Sequence, residues 1–148
     1  MATLKVKIQE DIVLSNQDYG SKRILEIASI DEVMKRIVTC AASQTTTIAV
    51  FNSNAYGAAG AVDIEDSKYI RITNLDSSNA VELAVVGAAT LYQVKLAAGQ
   101  SHVLGSADDL MLSEADTSPS FGTMADLGSI QVNPGGNAVD VELFIASA

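Results

Sequence analysis

Apolar and polar side chains alternate along much of the chain with a period of two, the spacing that sends neighbours on a strand to opposite faces. Leu4, Val6 and Ile8 share one face, and Lys5, Lys7 and Gln9 share the other. The same alternation runs through residues 23–27, 69–73 and 92–96, and it predicts half-buried strands. Residues 48–51, 81–86 and 139–145 are almost continuously apolar, with Asp140 and Glu142 set on the outer side of the last. Strands of that kind belong in the middle of a sandwich.

Clusters of turn residues separate these segments. Residues 16–20 (NQDYG), 74–79 (NLDSSN) and 133–137 (NPGGN) combine side chains that bond their own backbone with residues that tolerate positive φ, so each is expected to reverse the chain. Residues 52–61 are predicted to form a long surface loop around Tyr56, and residues 106–128 a second irregular region. Ser29-Ile30-Asp31-Glu32 has the form of a helix-capping box, and Ile30, Val33, Met34 and Ile37 follow at helical spacing. The β-branched residues of 36–47 oppose it, which favours a strand from about Val33 and limits any helix to one or two turns. Strands at roughly ten-residue spacing joined by such turns predict an all-β chain. The expected fold is an antiparallel β-sandwich or jelly-roll-like single domain over residues 1–148, with at most a short helix. Residues 1–14 are expected to serve as an interaction arm or an edge strand.

Composition narrows the function. With 48% apolar and 18% charged residues the 148-residue chain is not a disordered polymer, and it is long enough to bury a core without staples. Its one cysteine, Cys40, lies among Val38, Thr39, Ala41 and Ala42 and reads as a small buried hydrophobe. The formal charge is −9 and unevenly placed: residues 1–36 hold six basic and six acidic side chains, whereas residues 96–148 hold seven acidic and no basic ones. Such a chain is a poor ligand for nucleic acid or for an anionic membrane surface, and neither is expected as a partner. No run approaches the ~18 apolar residues of a membrane helix, and residues 1–14 carry four charges in place of a signal-peptide core, so a cytosolic origin is expected.

Candidate chemistry is sparse. His102 is the sole histidine, and its neighbour Ser101 should point to the opposite face of a strand, which separates nucleophile from base. Asp63, Glu65 and Asp66, followed by Ser67, offer oxygen ligands to a cation but lack the EF-hand glycine and terminal glutamate, so a solvated loop is the favoured reading. Asn74, Asp76 and Ser78 alternate as oxygen donors in a way that a tight turn explains. No catalytic residue, cofactor-binding residue or metal ligand is therefore assigned, and the chain is not expected to be an enzyme.

The stretch 69–83 (YIRITNLDSSNAVEL), followed by 92–101 (YQVKLAAGQS), resembles virion structural proteins of tailed bacteriophages, marine and cyanobacterial phages in particular. Residues 19–23 and 138–147 add to the likeness. The resemblance implies a capsid decoration, or cement, protein that binds the major capsid protein lattice on the outer surface and stabilises the mature head. It also implies self-association, a trimer by analogy, and a place on the virion exterior after synthesis in the bacterial cytoplasm. Leu4, Val6, Ile8 and Tyr56 are the expected interface residues. A tail, neck, baseplate or fibre-linked component is the first alternative. A carbohydrate- or receptor-binding module using Tyr56 is the second.

Overall fold

The structure is a computed structural model and describes residues 1–54, 57, 60–113 and 118–148. The first four strands, β1 (Ala2–Glu10), β2 (Val13–Leu14), β3 (Gln17–Asp18) and β4 (Ser21–Ile30), form a hairpin ribbon. The rest of the chain forms the body: β5 (Glu32–Cys40), β6 (Thr46–Asn52), β7 (Val62–Asp63), β8 (Ser67–Asn74), β9 (Val81–Gly87), β10 (Leu91–Leu96), β11 (Ser101–Leu104), β12 (Leu127–Asn133) and β13 (Val139–Ser147).

Two sheets face each other in the body, ordered β11-β8-β13-β5 and β10-β9-β12-β6-β7. Apart from the two-residue parallel strand β7, the body strands pair in nested fashion: β5 with β13, β6 with β12, β8 with β11, and β9 with β10. The first strand thus meets the last, the second the next to last, and so inward. One long hairpin has been rolled into two sheets, the topology of a jelly roll. The antiparallel sandwich expected from the alternation is what forms, with no helix among the described residues.

Alternation decides which side chains fill the space between the sheets. On β13, Val139, Val141, Leu143 and Ile145 point inward and are almost wholly buried, while Asp140 and Glu142 face out as expected. Ile70 and Ile72 of β8, Val81, Leu83 and Val85 of β9, and Ile130 and Val132 of β12 complete the layer. Cys40 is fully buried in it, and burial raises its thiol pKa. Two contacts close the sides of the sandwich. Arg36 of β5 donates from its guanidinium to the carbonyl of Ile48 in the opposite sheet. On the other side, Tyr92 Oη of β10 and His102 Nε2 of β11 lie 2.9 Å apart, with their rings edge to face.

The turn over residues 74–79 is a polar hub between the sheets. Asn74 is fully buried, yet its Nδ2 donates to the carbonyls of Asn79 and Leu96, and its Oδ1 accepts from the amide of Asp76. Asp76 Oδ1 in turn accepts from the amides of Ser78 and Asn79. Both polar atoms of the buried amide thus have partners, which is the condition for placing it there.

Of two local expectations, the strand favoured over a helix from about Val33 holds and the first turn needs correction. The Ser29–Glu32 capping box caps nothing: β4 runs to Ile30 and β5 begins at Glu32, one residue before the strand start favoured from sequence. Ser29 adopts φ 64° beside a register shift between Ala2 and Leu4, so a bulge stands where a helix might have begun. The first reversal also comes earlier than residues 16–20. Ser15 and Asn16, at φ 51° and 66°, form a two-residue loop with positive φ at both positions, the form that matches strand twist. Asp18, Tyr19 and Gly20 already belong to the returning arm.

Burial distinguishes the body from the ribbon energetically. Leu143→Ala is expected to lower unfolding stability by about 2–5 kcal/mol, as for any fully buried leucine. Leu25→Ala on the ribbon should change it by about 0.5 kcal/mol or less. Urea unfolding of the two variants checks both.

Candidate functional site

Outward from Leu4 the ribbon keeps one register. Leu4 opposes Ile27, Val6 opposes Leu25, Ile8 opposes Arg23 and Glu10 opposes Ser21. The Tyr19 amide then donates to the Ile12 carbonyl at 3.0 Å, and Val13 and Leu14 oppose Asp18 and Gln17. Residues directly opposite on antiparallel strands share a face. One face therefore carries Leu4/Ile27, Val6/Leu25, Ile8/Arg23 and Glu10/Ser21, followed towards the tip by Ile12/Tyr19 and Leu14/Gln17. The other carries Lys5/Glu26, Lys7/Ile24 and Gln9/Lys22. Gly20 sits where the ribbon is tightest: a Cβ there would meet the Glu10 carbonyl oxygen at 2.7 Å, so the position takes no larger residue without a shift of backbone.

Only the base of the ribbon is covered. Leu4, Val6, Ile27 and Ile30 pack on Tyr69, Phe144 and Ala146, on the outer face of the β8-β13 pair. Arg71 lies over the Phe144 ring, 5.7 Å from its centroid, and pairs with Glu142 at 2.6 Å. From Lys7 to Glu26 every residue is exposed. Ile8 and Leu25 are each 53% exposed, Leu14 61% and Val13 70%, an unusual display of large apolar side chains on twenty consecutive residues. Alternation alone predicted half-buried strands here. It reports which residues share a face, whereas burial needs a second layer, and over most of the ribbon this chain provides none.

Leu4, Val6 and Ile8 thus share a face as expected, with Leu4 and Val6 half-buried under the body and Ile8 beyond its edge. Tyr56 lies outside the described residues. The returning strand, with Leu25 and Tyr19, was missed as part of the same surface. Its signal in the sequence is the Ser15-Asn16 turn, about which residues 4–14 fold back on residues 17–27.

The polar candidates do not gather into one site. Ser101 turns away from His102, as expected of strand neighbours, and its hydroxyl meets that of Thr73 at 2.7 Å. His102, bonded to Tyr92, is held below the usual histidine pKa by burial, and burial raises the pKa of the Tyr92 phenol. Asp63 Oδ1 accepts from the Glu65 amide at 3.0 Å and closes a local turn ahead of β8. The carboxylates that converge among the described residues are instead Asp108, Asp109 and Asp126, all exposed, with ligand atoms within 4.8 Å of one another. Loss of hydration and the neighbouring Asp109 and Asp126 charges raise the Asp108 pKa. The backbone amides of Asn79 and Ser78 lower that of Asp76.

No protein-family model and no curated protein matches the chain. A solved chain described by the words "Bacillus endospore appendages form a novel family of disulfide-linked pili" is similar over 83% of this chain and 94% of its own, at 11% identity and a TM-score of 0.44. That likeness is too distant to bear on function.

The two displaced carboxyls make a prediction with opposite signs. In a carbon-detected NMR titration Asp76 should protonate below the ordinary value of 3.8, and Asp108 above it. The Asp76 turn contributes stability above that value and loses the contribution as pH falls through the lower, folded pKa. Asp108 behaves inversely: its contribution is complete below 3.8 and is lost as pH rises through its raised value.

Proposed function

We propose that this chain is a structural protein of a phage virion, a capsid decoration protein that docks on the outer surface of the major capsid protein lattice and stabilises the mature head. The observation that carries it is the ribbon: twenty consecutive exposed residues rich in large apolar side chains, held out by a body whose own core is complete. A surface of that kind serves assembly. The resemblance of residues 19–23, 69–83, 92–101 and 138–147 to tailed-phage virion proteins supports the virion setting, and the NLDSSN turn that carries part of it is here a hub around the buried Asn74.

Charge supports the exterior. With −9 in all and no basic side chain after Lys95, the body is repelled by packaged DNA and has no surface suited to phosphate. The mechanism is binding linkage. A protein that prefers the assembled, mature lattice raises its stability by RT ln(1 + [L]/Kd), with no chemistry required of the ligand.

The test is the copy number of the chain relative to the major capsid protein in purified particles, by quantitative mass spectrometry. Decoration predicts on the order of hundreds of copies, one set for each repeat of a shell lattice. A dozen or fewer would move the chain to the neck, baseplate or fibres, and absence from particles would overturn the virion reading.

A further inference from the structure

We propose that the ribbon face carrying Lys5, Lys7, Lys22 and Ile24, opposite to the face whose base lies on the body, holds the acidic loop of a second copy of the chain, with Phe121 seated on Ile24. This rests on reading the ribbon as an assembly surface and goes further by naming what one of its two faces holds.

The body covers nothing of this face. Its rungs read Lys5/Glu26, Lys7/Ile24 and Gln9/Lys22, and all six residues are exposed, Ile24 by 51%. Leu4, Val6 and Ile27, which pack on Tyr69, Phe144 and Ala146, belong to the other face. Lys7 opposes Ile24 directly, and Lys22 lies two residues from it on the same strand, so one apolar side chain stands between two ammonium groups. Neither lysine forms a salt bridge among the described residues. The acidic side chains that flank them are engaged already, Glu26 with Lys5 at 2.9 Å and Asp11 with the Gln9 side-chain amide at 3.1 Å.

The complementary surface is on the chain itself. Residues 106–128 hold five acidic side chains and no basic one. Asp108, Asp109 and Asp126, all exposed, bring their carboxylates within 4.8 Å of one another, and none forms a salt bridge among the described residues. The same segment carries Phe121, 94% exposed, so its ring packs on almost nothing of its own chain. The loop is closed at its neck, where the Met111 amide donates to the Ala125 carbonyl at 3.0 Å and the Asp109 amide to Asp126 Oδ1 at 3.0 Å. Acid and aromatic groups thus share one closed loop, as lysine and isoleucine share one ribbon face.

Electrostatics selects this pairing. Each chain carries −9, so two copies attract only where their signs differ, and a contact of ribbon with ribbon through this face would set lysine against lysine. Loop on ribbon sets carboxylate against ammonium, while charges farther apart than the ~8 Å Debye length are largely screened. The Phe121 ring leaves water against Ile24 and the aliphatic stems of Lys7 and Lys22, with the ammonium groups close to its face. The two surfaces are different parts of the molecule, so the contact is heterologous and runs head to tail from copy to copy.

The test is complementation between two defective variants, read by sedimentation velocity on the purified full chain. The wild-type protein is expected to self-associate. The double variant K7E/K22E spoils the ribbon face and F121S removes the loop anchor, and each should weaken association at least about 30-fold. Mixed in equal amounts, the two should form a heterodimer and nothing larger, because the intact ribbon of one holds the intact loop of the other and the two remaining surfaces are both spoiled. Circular dichroism confirms that each variant is folded, as expected for exposed positions. A monomeric wild-type protein, a variant that associates as the wild type does, or a mixture that stays monomeric or grows beyond two copies would overturn the proposal. None of these outcomes touches the copy number in particles, so the virion reading stands or falls apart from it.

Discussion

The body depends on the position of its last strand. β13 lies between β5 and β8, gives four apolar side chains to the core, and joins the first body strand to the third. Without it one sheet falls into two pieces and the other loses the layer it packs against. The nested pairing of the remaining strands follows from that placement, because once first and last strands are neighbours the others close inward pair by pair. A large apolar area is then removed from water on both sides of a common layer, which is the dominant favourable term in folding.

The ribbon obeys a different balance. Two strands in water are marginal by themselves, since backbone ordering is offset by cross-strand contacts on surfaces that stay wet. Here the base is anchored by Ile30, Leu4 and Ile27 on Tyr69 and Phe144, and the tip is set by a two-residue turn with positive φ. The one close ion pair along it, Lys5 with Glu26 at 2.9 Å, is exposed on both sides and contributes little. What holds the ribbon in register is alternation and turn geometry, not burial. The apolar face is therefore already arranged before anything binds to it, and the ordering cost of binding is correspondingly small.

Much of this was legible in the sequence, and the exceptions share a cause. Period two placed the strands at 69–73 and 92–96, continuous apolar character placed that at 139–145, and the outward Asp140 and Glu142 told which side of the last was wet. The turns at 74–79 and 133–137 fell where Asn, Asp and Gly gather. The sandwich followed from these, but the strand order did not, because pairing β5 with β13 is a long-range fact that no local pattern encodes. The apparent capping box failed because bonding partners in β13 outweigh a single turn of helix: the Asp31 amide donates to the Ser147 carbonyl at 3.1 Å. The ribbon was half legible. Leu4, Val6 and Ile8 were recognisable as a face, but their opposite strand needed the turn at Ser15-Asn16 to be located to the residue, since a shift of one moves every side chain across.

The nesting also sets an order in time. Residues 2–30 are made before residues 139–147, and a hairpin closed by a two-residue turn forms in microseconds from contacts that are close in sequence. The body has to wait, because β5 finds its partner only when residues 139–147 have appeared. Until then the apolar strands between them lack the sheet that β13 completes, and the ribbon lacks the body on which its base packs.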